Sequence, residues 1–126
     1  MAKRPRIDKS QLLYGEPARI REQKYLDWIA TLACCMFGRY ILCQGDVVYA
    51  HLRMGSKSGT GQKPGDDCVT PCCDAHHKLQ HQKGEIWFWS PYNPSKLCAD
   101  LWDARYNDVL AARIIRAWRA QWIQTP

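Results

Sequence analysis

VVYAHLRMGSKSGTGQKPGDDCVTPCCDAHHKLQH, residues 47–81, is the stretch whose reading decides the fold. Asp46 to Arg53, DVVYAHLR, has the β-branched and aromatic content of a short strand. Residues 54–67, MGSKSGTGQKPGDD, are Gly, Ser, Lys and Pro with only Met54 as an apolar anchor. They read as a long loop, and a loop of that length in a compact domain is usually functional or disordered. CVTP, residues 68–71, predicts a second short strand that Pro71 stops. Asp74 to Gln82 reads as a helix that ends near Gly84. The order is strand, loop, strand, helix.

All four histidines fall in this stretch, at 51, 76, 77 and 81. His77 and His81 are four apart, so on a helix both imidazoles leave the same face one turn apart. That spacing lets two nitrogens bind one divalent ion. His51 closes the first strand. A strand histidine set against a helical HxxxH pair is the layout of a ββα metal finger. In such a unit the strand histidine acts as general base on water, while a cation neutralises phosphodiester oxygens.

Outward from this core, residues 1–16 carry charge, Pro and Gly without a sustained period and read as a flexible basic arm. Ala18 to Leu32 places Ile20, Tyr25, Leu26, Trp28, Ile29 and Leu32 at mostly three- and four-residue spacings, behind Pro17 as a helix-starting residue. ACCMFGRYILCQG is a cysteine-bearing turn region, and EIWFWSPYNPS an aromatic connector. Ser95 to Arg105 and Asn107 to Ile123 predict two more helices, the second capped by Asn107 or Asp108. Leu110, Ile114, Trp118 and Trp122 give that last helix one apolar stripe. The six tryptophans are expected to serve core packing and helix docking.

The chain has 126 residues, enough for one domain with a modest core. Its 46% apolar and 24% charged content is that of an ordinary globular protein. No apolar run approaches the roughly 20 residues of a membrane span, so no membrane association is expected. MAKRPRIDKSQ is basic with no apolar segment behind it and does not read as a secretory signal. The seven cysteines, an odd number, then fall in a reducing cytoplasm, where clustered Cys and His more often mean metal than disulfide. A net charge of +6 favours a polyanionic partner, with nucleic acid the commonest.

At AHLR, KPGD and PCCDAHHKLQH the sequence resembles the HNH (His-Me finger) endonucleases, in particular the phage and prophage branch that includes the recombination enhancement function (Ref) nucleases. Members carry an AH[IV]R-type strand end, a Gly-rich loop closing with KP-x-D, and a PLC-x-x-[CH]-H-x-x-x-H helix. YLDWIATLACC is similar to the Y-L-x-W-I…C-C lead-in of that branch, and the resemblance spans about residues 24–90. It implies an α+β fold in which a ββα-metal finger, about residues 46–84, is embedded among helices. Residues 17–126 would form a single nuclease domain, with C-terminal helices at about 95–123.

Carried over residue by residue, the resemblance makes His51 the general base and Asp66 the residue that orients it, where many members have Asn. His77 and His81 become ligands of Mg2+ or another divalent cation. Many members have a further ligand just before the base, but here that position is Ala50, as in the branch it resembles. The ion would then rest on the two histidines, water and substrate phosphate. Related domains also hold a structural zinc between two C-x-x-C knuckles. Cys73-x-x-His76 supplies the second; Cys34-x-x-Phe37 lacks its second ligand, so either Cys35 or Cys43 substitutes, with Cys34, Cys43, Cys73 and His76 as the candidate set, or the zinc is lost and apolar packing fills the site. Cys68, Cys72 and Cys98 read as small buried residues. Arg53, Lys57, Lys63 and Lys78, with Lys3, Arg4 and Arg6 on the arm, are expected to contact DNA phosphates. The implied activity is hydrolysis of DNA to 5′ phosphate ends in the cytoplasm of a bacterial or phage-infected cell. A recombination or phage DNA-processing protein is the implied partner.

Two rival readings stand beside this one. A zinc-stabilised DNA-binding module without catalysis could keep the finger as scaffold, although a scaffold has no need of His51. DDCVTPCCDAHH is also similar to the D-x-C-C-x-x-H-D site of secreted phospholipases A2. There the following Asp holds calcium, and here His77 takes its place.

Overall fold

A computed structural model describes residues 20–53 and 65–123 of the chain. The architecture is α+β. Its elements run α1 (Gln23–Ile29), β1 (Val47–His51), β2 (Val69–Cys73), α2 (Asp74–Lys83), α3 (Glu85–Trp89), α4 (Pro94–Asp103) and α5 (Asp108–Arg119). The arm at 1–16, with Lys3, Arg4 and Arg6, lies outside the described residues, and so do Lys57 and Lys63.

β1 and β2 pair antiparallel, with Val47 opposite Cys73 and His51 opposite Val69. Leu52 extends the ladder by donating to the Cys68 carbonyl. Pro71 does not stop β2, as its sequence position suggested. Ladder bonds in an antiparallel pair fall on alternate residues, and counting from Leu52–Cys68 they skip Tyr49–Pro71. The missing N–H of Pro71 therefore faces away from β1 and costs the ladder nothing. Its carbonyl, on the same outer side, accepts from the Cys35 N–H at 2.8 Å. All five residues of β2 are buried, which places this strand at the centre of the core.

Around it pack Tyr25 and Ile29 from α1, Phe88 and Trp89 from α3, Leu97 and Leu101 from α4, and Ile115 and Trp118 from α5. Asn107 caps α5 by accepting from the Leu110 N–H, and Asn93 caps α4 in the same way. α1 is shorter than its apolar period predicts. Residues 20–22 leave the helix to bond Asp66: the Ile20 carbonyl accepts from the Asp66 N–H, and the Glu22 N–H donates to the Asp66 carboxylate. The stripe on α5 is also rotated from the expected one. Ala111, Ile115 and Trp118 face the core, while Leu110 is exposed and Ile114 and Trp122 are half-buried. A small alanine at 111 lets the helix approach closely, and a stripe counted from large residues alone misses it. EIWFW is helical, and its Trp89 is fully buried while Trp87 is exposed.

Candidate functional site

Two groups of side chains converge on the β1–β2–α2 unit from opposite sides. The first starts at the end of β1. His51 Nε2 stands 3.0 Å from Asp66 Oδ1, and because a carboxylate only accepts, the ring nitrogen is the donor. Asp66 is buried, and its other oxygen accepts from the Glu22 N–H at 2.7 Å. Both carboxylate oxygens are therefore used as acceptors. An asparagine at this position could satisfy only one of those two donors. The dyad geometry thus gives a local reason for the Asp. It also leaves His51 Nδ1 as the lone-pair nitrogen of a ring one-third open to solvent.

His77 and His81 follow on α2, with their Nε2 atoms 3.1 Å apart. Partial burial, and then the charges that His81 and His51 carry when protonated, hold His77 below the usual histidine range; the Asp74 carboxylate acts the other way. His77 is thereby biased toward the neutral ring that a metal ligand must be.

The second group lies at the N-terminus of α2. The ligand atoms of Cys34, Cys43, Cys73 and His76 all fall within 4.8 Å of one another, and these four could hold a metal ion. His76 is fully buried. Its Nε2 lies 2.7 Å from the Arg39 carbonyl, which only accepts, so the proton sits there and Nδ1 turns its lone pair toward the three sulfurs. The sulfurs stand at 3.1 Å for Cys73 and 3.7 Å for Cys34 and Cys43. Cys73 caps α2: burial raises its thiol, but the N–H groups of His76 and Gln44 and the His76 ring outweigh that and lower it. Burial and the neighbouring Cys34 and Cys73 sulfurs push Cys43 up to about 12.

Cys43, and not Cys35, takes the place that Phe37 cannot fill. Cys35 is fully buried beside Cys72, whose hydrogen bond and charge, after burial itself, raise its thiol well above the usual range. Phe37 is half exposed, with the Arg119 guanidinium over its ring. The chain returns to Cys43 through a turn that has Gly38 and Tyr40 at positive φ, and leaves it through Gly45 at φ +80°. A Cβ on Gly45 would come within 2.7 Å of the Asp74 Cβ, so this position needs glycine for space as well as for φ. Cys72 and Cys98 are buried as expected, whereas Cys68 is only half-buried.

Three supporting groups lay beyond reach of the sequence: the Glu22 N–H on Asp66, the Arg39 carbonyl on His76, and Glu85. The Glu85 carboxylate accepts the Arg53 N–H at 2.9 and 3.1 Å, just where the described part of β1's continuation ends. Two of the three act through backbone atoms, which carry no residue signature. Arg53 is exposed at that point. Lys78 pairs with Asp74 at 3.0 Å, on a different face of α2 from the histidines. Among the described residues no helix is long and apolar enough to cross a membrane.

No family model, curated protein or solved structure matches the chain.

Proposed function

We propose that the chain is an HNH-type endonuclease that hydrolyses DNA phosphodiester bonds with a divalent cation, β1, β2 and α2 being its ββα-metal finger. The observation that carries this reading is the His51–Asp66 dyad at the end of β1, a strand that packs with β2 against α2, the helix that bears His77 and His81. Asp66 fixes the tautomer of His51 and holds the ring in place. Nδ1 is then free to accept a proton from water, the role of a general base. The exposed Arg53, two residues on, is placed to meet a phosphate without reading sequence.

The helical pair fits a cation on its own chemistry. Two imidazole nitrogens bound tetrahedrally to one ion at about 2.0–2.1 Å stand roughly 3.3–3.4 Å apart, and here they stand 3.1 Å apart, sharing a hydrogen bond at nearly that spacing. Two imidazoles without a carboxylate suit a transition ion such as zinc or nickel better than Mg2+, which prefers oxygen. When bound, the cation would neutralise a phosphate oxygen and the departing 3′ oxygen. In the same reading Cys34, Cys43, Cys73 and His76 hold a structural zinc, since three thiolates and one imidazole form a closed tetrahedral set. The Arg39 carbonyl supplies the outer-shell partner that such a histidine ordinarily has.

The rivals fit the side chains less well. A scaffold without catalysis accounts for the bonds of Asp66 to residues 20–22 but not for its second oxygen holding the partly exposed His51. A phospholipase-like site would make His76 the base, yet His76 is fully buried and directs both ring nitrogens into the protein.

The test is cleavage of supercoiled plasmid by chelator-treated protein with single ions added back. Cleavage should return with a transition ion and be absent from His77→Ala under every ion. Cleavage that persists in chelator, or none with any ion, contradicts the proposal. Fatty acid release from phospholipid micelles would favour the lipase instead.

A further inference from the structure

The turn that delivers Cys43 to the metal cluster carries an unexplained surface. Among the described residues ten large hydrophobic side chains are exposed, and five of them gather in two short segments: Tyr40, Ile41 and Leu42 on this turn, and Ile86 and Trp87 on α3. Leu42 is 82% exposed and Ile86 74%. The segments touch, since the Tyr40 and Trp87 rings stack at 4.7 Å and the Tyr40 hydroxyl donates to the Phe88 carbonyl. Ile41 carries the apolar surface on to a cavity of about 490 Å³ against α2, which Leu79, Lys78 and Gln82 also line. Single exposed apolar residues need no explanation, but a contiguous group of this kind marks an interaction site.

The face is rigid and separate from the proposed catalytic groups. Arg39, one residue before Tyr40, gives its carbonyl to His76, and its guanidinium bonds the Phe88 and Ser90 carbonyls. The metal cluster and α3 therefore hold the turn from both ends. On α2 the cavity lies along Ala75, Lys78, Leu79 and Gln82, whereas His77 and His81 project from another side of the helix.

Charge decides what fits. Lys83 lies over the Trp87 ring at 5.3 Å, and Lys78 lines the cavity. Asp74 is the acidic group on the cavity wall, and Lys78 already pairs with it. A second copy would bring lysines against lysines in a chain of net charge +6, and the arm, with Lys3, Arg4 and Arg6, has the same sign. Nucleic acid could stack on Trp87 but has no use for Ile41, Leu42 and Ile86. We infer that this face docks an amphipathic, acidic segment of another protein, with its apolar side on Leu42, Ile86 and Trp87 and its carboxylates toward Lys83. The inference is independent of the nuclease reading.

The test is selection of short random peptides from a display library on the purified zinc-loaded protein. Selected peptides should combine Asp or Glu with apolar residues at helical spacing. They should lose about thirtyfold or more in affinity for Trp87→Ala, the size of a hot-spot loss. Leu42→Asp and Ile86→Asp should lose them too, with zinc content and thermal midpoint unchanged, because both side chains lie in solvent. Val109→Asp, an exposed position on α5, should keep them. Failure to enrich any peptide over bare resin, or peptides that bind all variants equally, overturns the inference. So does a wild-type dimer in sedimentation that Leu42→Asp makes monomeric, which would assign the face to a second copy. Loss of duplex DNA affinity in Leu42→Asp would likewise assign it to nucleic acid.

Discussion

At the scale of single residues, Asp66 is the most informative position because its two carboxylate oxygens answer two donors. Asp66→Asn leaves only one acceptor, so the amide must turn its NH2 toward either His51 or the Glu22 N–H. We expect cleavage to fall by roughly tenfold to a hundredfold, less than loss of the base itself. Stability should fall by about 1–3 kcal/mol, as for a hydrogen bond to a charged group. Plasmid cleavage rates and denaturant titration of the two proteins check this. Neither quantity changing would mean that the dyad is incidental. The sequence marked Asp66 only by resemblance, because the acidic pair Asp66–Asp67 gives no pattern of its own. Its partner Glu22 acts through a backbone N–H, so no reading of side chains could have found it.

At the scale of elements, the strand–strand–helix order was legible because each element carries its own signal, β-branched residues in the first strand and histidines at helical spacing in α2; the Gly-rich stretch at 54–64 lies outside the described residues. The bounds were not, and the reasons are tertiary. Pro71 sits in a strand because its missing donor faces outward, and α1 starts late because residues 20–22 are drawn to Asp66. The metal turn is a partial exception. The C-x-x-C rule fails at Phe37 and leaves Cys35 and Cys43 as substitutes; the fold brings Cys43, nine residues beyond Cys34, to the cluster the sequence had named. Zinc on this turn should shield Cys34, Cys43 and Cys73 from alkylation. Chelator should expose them, while Cys35 and Cys98, buried and raised above the usual thiol range, stay unreactive until unfolding. Peptide mapping after iodoacetamide treatment reads this directly. Alkylation of the three at equal rates with and without chelator would remove the zinc from the account. Cys43→Ser should lower the thermal midpoint by roughly 10 °C or more, since zinc binding at such a site is folding free energy.

At the scale of the whole molecule, a net charge of +6 and the exposed Arg53 beside the dyad describe a surface suited to a polyanion. Duplex binding should weaken with salt, log affinity falling by about 0.9 per phosphate neutralised for each tenfold rise. Arg53→Ala should lessen that slope by about one such step on two unrelated duplexes alike, because phosphate contacts carry no sequence information. A flat salt response would remove DNA as the partner. Composition pointed to the polyanion, but it could not show that the His51–Asp66 dyad and the Cys34, Cys43, Cys73 and His76 cluster are separate groups on one small unit. That follows from β2, whose buried strand leads straight into α2 and places Cys73 and His76 inward while His77 and His81 look out. The central claim is that His51 takes a proton from water, and the most direct measurement compares wild type with His51→Ala for binding and cleavage of the same duplex. Affinity and thermal midpoint should stay nearly unchanged while the cleavage rate falls by about 10²–10⁴. Cleavage by His51→Ala at the wild-type rate would contradict the account.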